Sequence, residues 1–137
     1  MFRDDPSLWD KLARALRRGG GFETDRETKT TMFIAPYTYF AKAPPGLDPF
    51  EYVIVTGENV AVRARPSMVS APLTRFSYES LPTASGGTSN ASWQRVKLPD
   101  GRIGYVARRF LATAGDHRAG IQKVDGQWKV VFFLAGD

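Results

Sequence analysis

A run of alternating residues that stops at a proline, followed downstream by an aromatic-led hairpin, constrains this chain more than any other feature. In Asn59-Val60-Ala61-Val62-Arg63-Ala64-Arg65-Pro66-Ser67, Val60 and Val62 share one parity while Ala61, Arg63 and Arg65 share the other. Pro66 removes a ladder donor where such a strand should end. Further on, Trp93-Gln94-Arg95-Val96 runs into Leu98-Pro99-Asp100-Gly101 and returns as Arg102-Ile103-Gly104-Tyr105-Val106. Proline at one corner and an Asp-Gly pair able to take positive φ predict a hairpin between Trp93–Leu98 and Arg102–Val106. These are the strands of a small curled sheet, a scaffold that binds more readily than it catalyses.

The first block, Val60-Ala61-Val62-Arg63-Ala64-Arg65-Pro66-Ser67, and a second made of Trp93, Val96, Gly101, Gly104, Tyr105, Val106, Phe110 and Leu111 stand in a fixed order. Together they resemble the bacterial SH3 domain over residues 54 to 111, fewer than half of the 137 in the chain. The chain departs from the family pattern at Ala61, where the family has Asn, at Arg65, where it has Gly, and at Tyr78-Glu79-Ser80, where it has a Lys-Gly turn. The resemblance implies a small SH3-like β-barrel, and the residues outside it add an N-terminal α-helix and a C-terminal β-hairpin extension to a mainly β fold. It also implies a non-enzymatic binding module of the cell envelope that recognises a peptide, peptidoglycan or protein partner. Because that family is usually exported, it implies a periplasmic or secreted protein whose leader lies upstream of this numbering; otherwise the protein is cytoplasmic.

Composition narrows the chemistry. With 42% hydrophobic residues the chain can build a real core, as one domain or a small domain with appendages. The absence of cysteine removes disulfides, thiolate zinc sites and cysteine nucleophiles together. No segment offers the roughly 18 uninterrupted apolar residues that cross a bilayer as a helix, and Met1-Phe2-Arg3-Asp4-Asp5 lacks a signal peptide's apolar centre. The single histidine, His117, lies in the polar run Ala114-Gly115-Asp116-His117-Arg118, without neighbouring ligands or a nucleophile-elbow pattern. The carboxylates are scattered over caps and turns. No catalytic residue, cofactor or metal site is expected. The net charge of +5 suits anionic company, with Lys11, Arg14, Arg17 and Arg18 crowding the first helix and Arg95, Lys97, Arg102, Arg108 and Arg109 surrounding the hairpin. A solvated, solubilising surface explains the same charges.

Along the chain, Pro6–Arg18 reads as a helix capped by Asp5 and ended by Gly19-Gly20-Gly21, with Leu8, Leu12 and Leu16 on one stripe. Packing of this helix against the barrel is expected; a helix lying on a membrane surface is the other reading of its basic face. Gly19–Thr31 reads as loop, and Met32–Ala35 and Tyr37–Phe40 as short strands interrupted by Pro36. Glu51–Thr56, Val60–Arg65, Leu73–Phe76 and Tyr78–Thr83 supply the early barrel strands, and Ser85–Asn90 a flexible loop. Ala107–Arg109 forms a 3₁₀ turn, as the resemblance implies. Ile121–Val124 and Gln127–Leu134 flank Asp125-Gly126 in a second hairpin whose outer arm sets Trp128, Val130, Phe132 and Leu134 on one face. Val131 and Phe133 make the other face apolar too, so this arm wants cover on both sides, with Met32–Phe40 the natural lid. The domains expected are 1–50 packing on the barrel, 51–115 as the barrel and 116–137 as the hairpin, all in one unit.

Five residues are the candidate ligand-binding set: Tyr78, Trp93, Tyr105, Arg109 and Phe110. Tyr105 and Phe110 also suit barrel packing. Ala107 stands where the polyproline-binding SH3 groove has Pro, and Phe110 where it has Tyr, so polyproline recognition is not expected. Two other readings stand beside the envelope module: a small basic barrel that stacks nucleic acid bases, and a structural homodimer, rather than a monomer, formed through the C-terminal hairpin.

Overall fold

Residues 3–85 and 90–136 are described by the computed structural model, so most of the loop expected at Ser85–Asn90 lies outside the described residues. The chain is mainly β with one N-terminal helix. In order, the elements are α1 (Ser7–Arg17), β1 (Gly21–Thr24), β2 (Thr31–Ala35), a 3₁₀ turn (Tyr37–Phe40), β3 (Tyr52–Val55), β4 (Val60–Arg63), β5 (Pro72–Phe76), β6 (Ser80–Pro82), β7 (Trp93–Lys97) and β8 (Ile103–Ala107). A second 3₁₀ turn (Arg108–Phe110), β9 (Leu111–Ala112), β10 (Arg118–Val124) and β11 (Gln127–Leu134) complete the chain. They form two compact units, Met1–Phe40 with Gly115–Asp137, and Ala41–Ala114.

Alternation builds the Ala41–Ala114 unit. Val60 and Val62 point inward, as do Val96 and Val106, while Ala61, Arg63, Arg95 and Tyr105 take the opposite parity. A three-stranded sheet of order β6-β3-β9 and a four-stranded sheet of order β5-β4-β8-β7 enclose one core of Val53, Val55, Val60, Val62, Leu81, Val96, Leu98 and Val106. Fully burying side chains of this kind contributes on the order of 1.5–3 kcal/mol each. A bridge between Thr83 and Val96 links the sheets. The β7–β8 hairpin pairs Trp93 with Ala107 through to Lys97 with Ile103. Its turn closes as the sequence predicts: Leu98 N donates to Arg102 O at 2.8 Å, Gly101 takes φ 88°, and Asp100 accepts from Arg102 N at 3.0 Å. At Gly104 the chain passes so near β4 that an added Cβ would stand 2.4 Å from Val62 Cγ1.

The other unit departs further from expectation. Asp5 caps α1 by accepting from Ser7 N at 3.0 Å, and Gly19, at φ 73°, ends it with a bond from its N–H to Leu16 O. The stretch expected as loop contains β1, which gains its order from pairing with β2 rather than from its own polar sequence. Tyr37–Phe40 is a 3₁₀ turn and not a strand: Tyr39 N reaches back to Pro36 O, and Thr38 is buried. β2 does not lie over the C-terminal hairpin but pairs edge to edge with β10, giving a sheet of order β1-β2-β10-β11. The layer upon that sheet is α1, whose Leu8 and Leu12 pack on Ala119 and Phe133. The helix expected on the barrel therefore has its core partners in the terminal sheet.

The β10–β11 turn has Asp125 and Gly126 both at positive φ, as the two-residue hairpin requires. A bulge then changes the faces of β11. Gly120 stands opposite Phe132 and Ile121 opposite Val130, which leaves Val131 without a partner on β10. Trp128, Val130, Phe132 and Leu134 thus do not share one face. Val130 joins Ile121, Phe33 and Phe22 in an apolar row across all four strands, beside the Ala35–Ala119–Phe133 row.

Candidate functional site

The outward parity of the β5-β4-β8-β7 sheet carries a groove of about 200 Å³. Register explains which side chains meet there. Trp93 stands opposite Ala107 on neighbouring strands, and Ala61 stands opposite Arg75. Residues opposite one another in a ladder share a face, so two alanines form a low floor between larger neighbours. Trp93, Phe110 and Met68 supply the bulky apolar lining, Arg63 and Arg75 the cations, and Glu58 with Asn59 the remaining polar part.

The cations are held in place. Arg63 Nη1 donates to Ser70 O at 2.7 Å, and Arg75 Nη1 donates to Asn59 O at 2.9 Å. Ser70 is itself buried, and its hydroxyl accepts from Arg65 N at 3.0 Å, which fixes the loop after β4 and with it the carbonyl that Arg63 grips. Arg109 lies over Phe110, its guanidinium carbon 4.8 Å from the ring centroid, and its Nη2 reaches Met68 Sδ at 3.7 Å.

Of the five residues singled out in the sequence, the structure brings Trp93 and Phe110 into the groove lining and sets Arg109 across Phe110. Tyr105 lies on the same sheet face, opposite both Arg63 and Arg95, but is not part of the lining. Tyr78 also stands outside it, exposed in the turn between β5 and β6 at φ 56° with its N–H bonded to Gly57 O. The candidate set did not include Arg63, Arg75, Met68, Ala61 and Ala107, which also line the groove. Strand parity was enough to place Ala61 and Arg63 on one face. Arg75 required the β4–β5 register, which a shift between Val62 and Arg63 hides from sequence.

No family model, characterised protein or solved structure matches this chain.

What the groove can do rests on its own geometry and charge. The Ala41–Ala114 unit has nine Lys and Arg against five Asp and Glu, an excess of four, so it carries most of the net +5. The basic end of α1 is partly compensated by Asp116, which pairs with Arg18 at 3.3 Å. His117 stacks on Phe133 with ring centroids 5.1 Å apart, beside Lys11, Arg14 and Arg18. Among the described residues, no three of His, Cys, Asp and Glu gather as a metal ion would need.

Proposed function

We propose that this chain is a non-enzymatic binding module of the bacterial SH3 kind, which recognises a cell-wall peptide or a protein partner in the cell envelope through the groove around Trp93. The observation that carries this reading is the groove itself: an aromatic wall, a floor of two alanines and two guanidiniums anchored to backbone carbonyls. Small floors between rigid aromatics receive side chains, and cations fixed before binding spare a ligand the entropy of ordering them. Titration of the ¹⁵N-labelled chain with soluble muropeptides tests it. Saturable shifts of Ala61, Ala107 and Phe110 amides support the reading; shifts confined to other surfaces, or none, reject it.

One observation favours a nucleic-acid reading. Arg63, Tyr105 and Arg95 stand in a row across β4, β8 and β7 on one face, an aromatic ring between two cations on which a base could stack. Retention on single-stranded DNA that falls steeply with salt supports this second reading, and retention absent at low salt removes it.

A further inference from the structure

Arg63 and Arg75 each spend one nitrogen on a backbone carbonyl. A guanidinium carries five N–H donors in a planar fork, so the carbonyl orients the fork without using it up. Against these two cations the groove lining sets a single carboxylate, Glu58, and the rest is largely apolar: Val60, Ala61, Met68, Trp93, Ala107 and Phe110. A cationic ligand would meet two guanidiniums. A wholly apolar ligand would strip water from them and return no hydrogen bond, which is costly. A bare inorganic anion would leave the aromatic wall unused. The chemistry that satisfies both halves is a carboxylate next to an apolar side chain, as at a peptide's C-terminus or at an acidic residue beside an aliphatic one.

We infer that the groove selects its peptide ligand by a carboxylate that pairs with a groove guanidinium, Arg63 or Arg75, with the adjoining apolar side chain seated against Trp93 and Phe110. This rests on the reading of the groove as a binding site and adds the chemical class that it takes.

N-acetyl-leucine and N-acetyl-leucinamide have nearly the same shape and differ by one negative charge, so the pair isolates the carboxylate. In amide-resolved titrations of the full ¹⁵N-labelled chain, the acid is expected to shift Ala61, Ala107 and the Trp93 indole with a Kd roughly fivefold or more below that of the amide. Arg63→Gln and Arg75→Gln each remove one guanidinium, and in at least one of them the affinities for the acid and the amide are expected to become equal; an advantage of the acid that survives in both variants overturns the inference. Equal affinities for the two probes, both at the groove, overturn carboxylate selection and leave the groove as an apolar site. Inorganic phosphate that competes as well as N-acetyl-leucine also overturns it, because charge alone would then suffice. If neither probe moves a groove resonance, the groove reading fails and this inference with it.

Discussion

Ala107 stands opposite Trp93 across the β7–β8 ladder, and both line the same groove, so a residue with almost no side chain leaves the indole face open. The resemblance to SH3 domains marks Ala107 only as the loss of a groove proline. In the structure Ala107 is part of the groove floor.

The floor can be filled. Ala61 is half-buried with its Cβ on the outward face, so Ala61→Leu places its added carbons in the groove and not in the core. Peptide binding should fall at least tenfold, while the unfolding free energy stays within about 1 kcal/mol of wild type. Trp93→Ala should cost on the order of 2 kcal/mol of binding energy, the scale of an interfacial aromatic anchor. Calorimetric titration and urea unfolding of the same samples check both.

Gly104→Ala tests the close passage of β8 over β4. The new methyl would lie 2.4 Å from Val62 Cγ1 and 3.2 Å from Arg63 O, and Val62 is fully buried and stiff at χ1. Destabilisation of about 1–3 kcal/mol is expected in denaturant melts. A neutral result would mean that the two strands do not approach in this way.

The parts of the fold that sequence revealed are those where chemistry is local. Asp100-Gly101 and Asp125-Gly126 closed the hairpins expected of them, and the parity of Val60 and Val62 marked the core face. What stayed hidden depends on residues far apart in the chain. Phe22-Glu23-Thr24 has no strand pattern, and becomes β1 only because β2 offers it an edge. The face of Val130 changed because one extra residue, Val131, bulges, and a period-2 reading cannot see an insertion. In the site, Trp93 and Phe110 were legible as aromatics in a known pattern. Arg75 was not, since only the ladder sets it opposite Ala61.

Leu12→Ala probes where the helix is docked. Leu12 is buried with Ala119 and Phe133, so its loss should cost about 2–5 kcal/mol and speed amide exchange in β10 and β11. Unchanged exchange in those strands would return α1 to the barrel or membrane-surface readings.

Acid should loosen the β7–β8 turn. The Arg102 backbone N–H, followed by its side chain, holds the Asp100 carboxyl below its ordinary value near 3.8. A carboxyl whose folded value is depressed adds stability that is complete above its unfolded value, and that is lost as pH falls from there through the lower folded value. Amide exchange at Arg102 should therefore accelerate below about pH 3.8, beyond the intrinsic pH effect, and Asp100→Ala should abolish that component. Asp25, held down mainly by the Thr28 backbone N–H, should give the β1–β2 turn the same acid response.

The three tryptophans offer the most direct test of the groove as the ligand site, because Trp9 sits on α1, Trp128 on β11 and Trp93 in the groove. Trp9 and Trp128 are each 59% exposed and serve as references for non-specific contact. In a muropeptide titration followed by the indole N–H resonances, Trp93 should shift saturably while Trp9 and Trp128 hold still. A stationary Trp93, or a larger response from Trp9 or Trp128, would contradict the account.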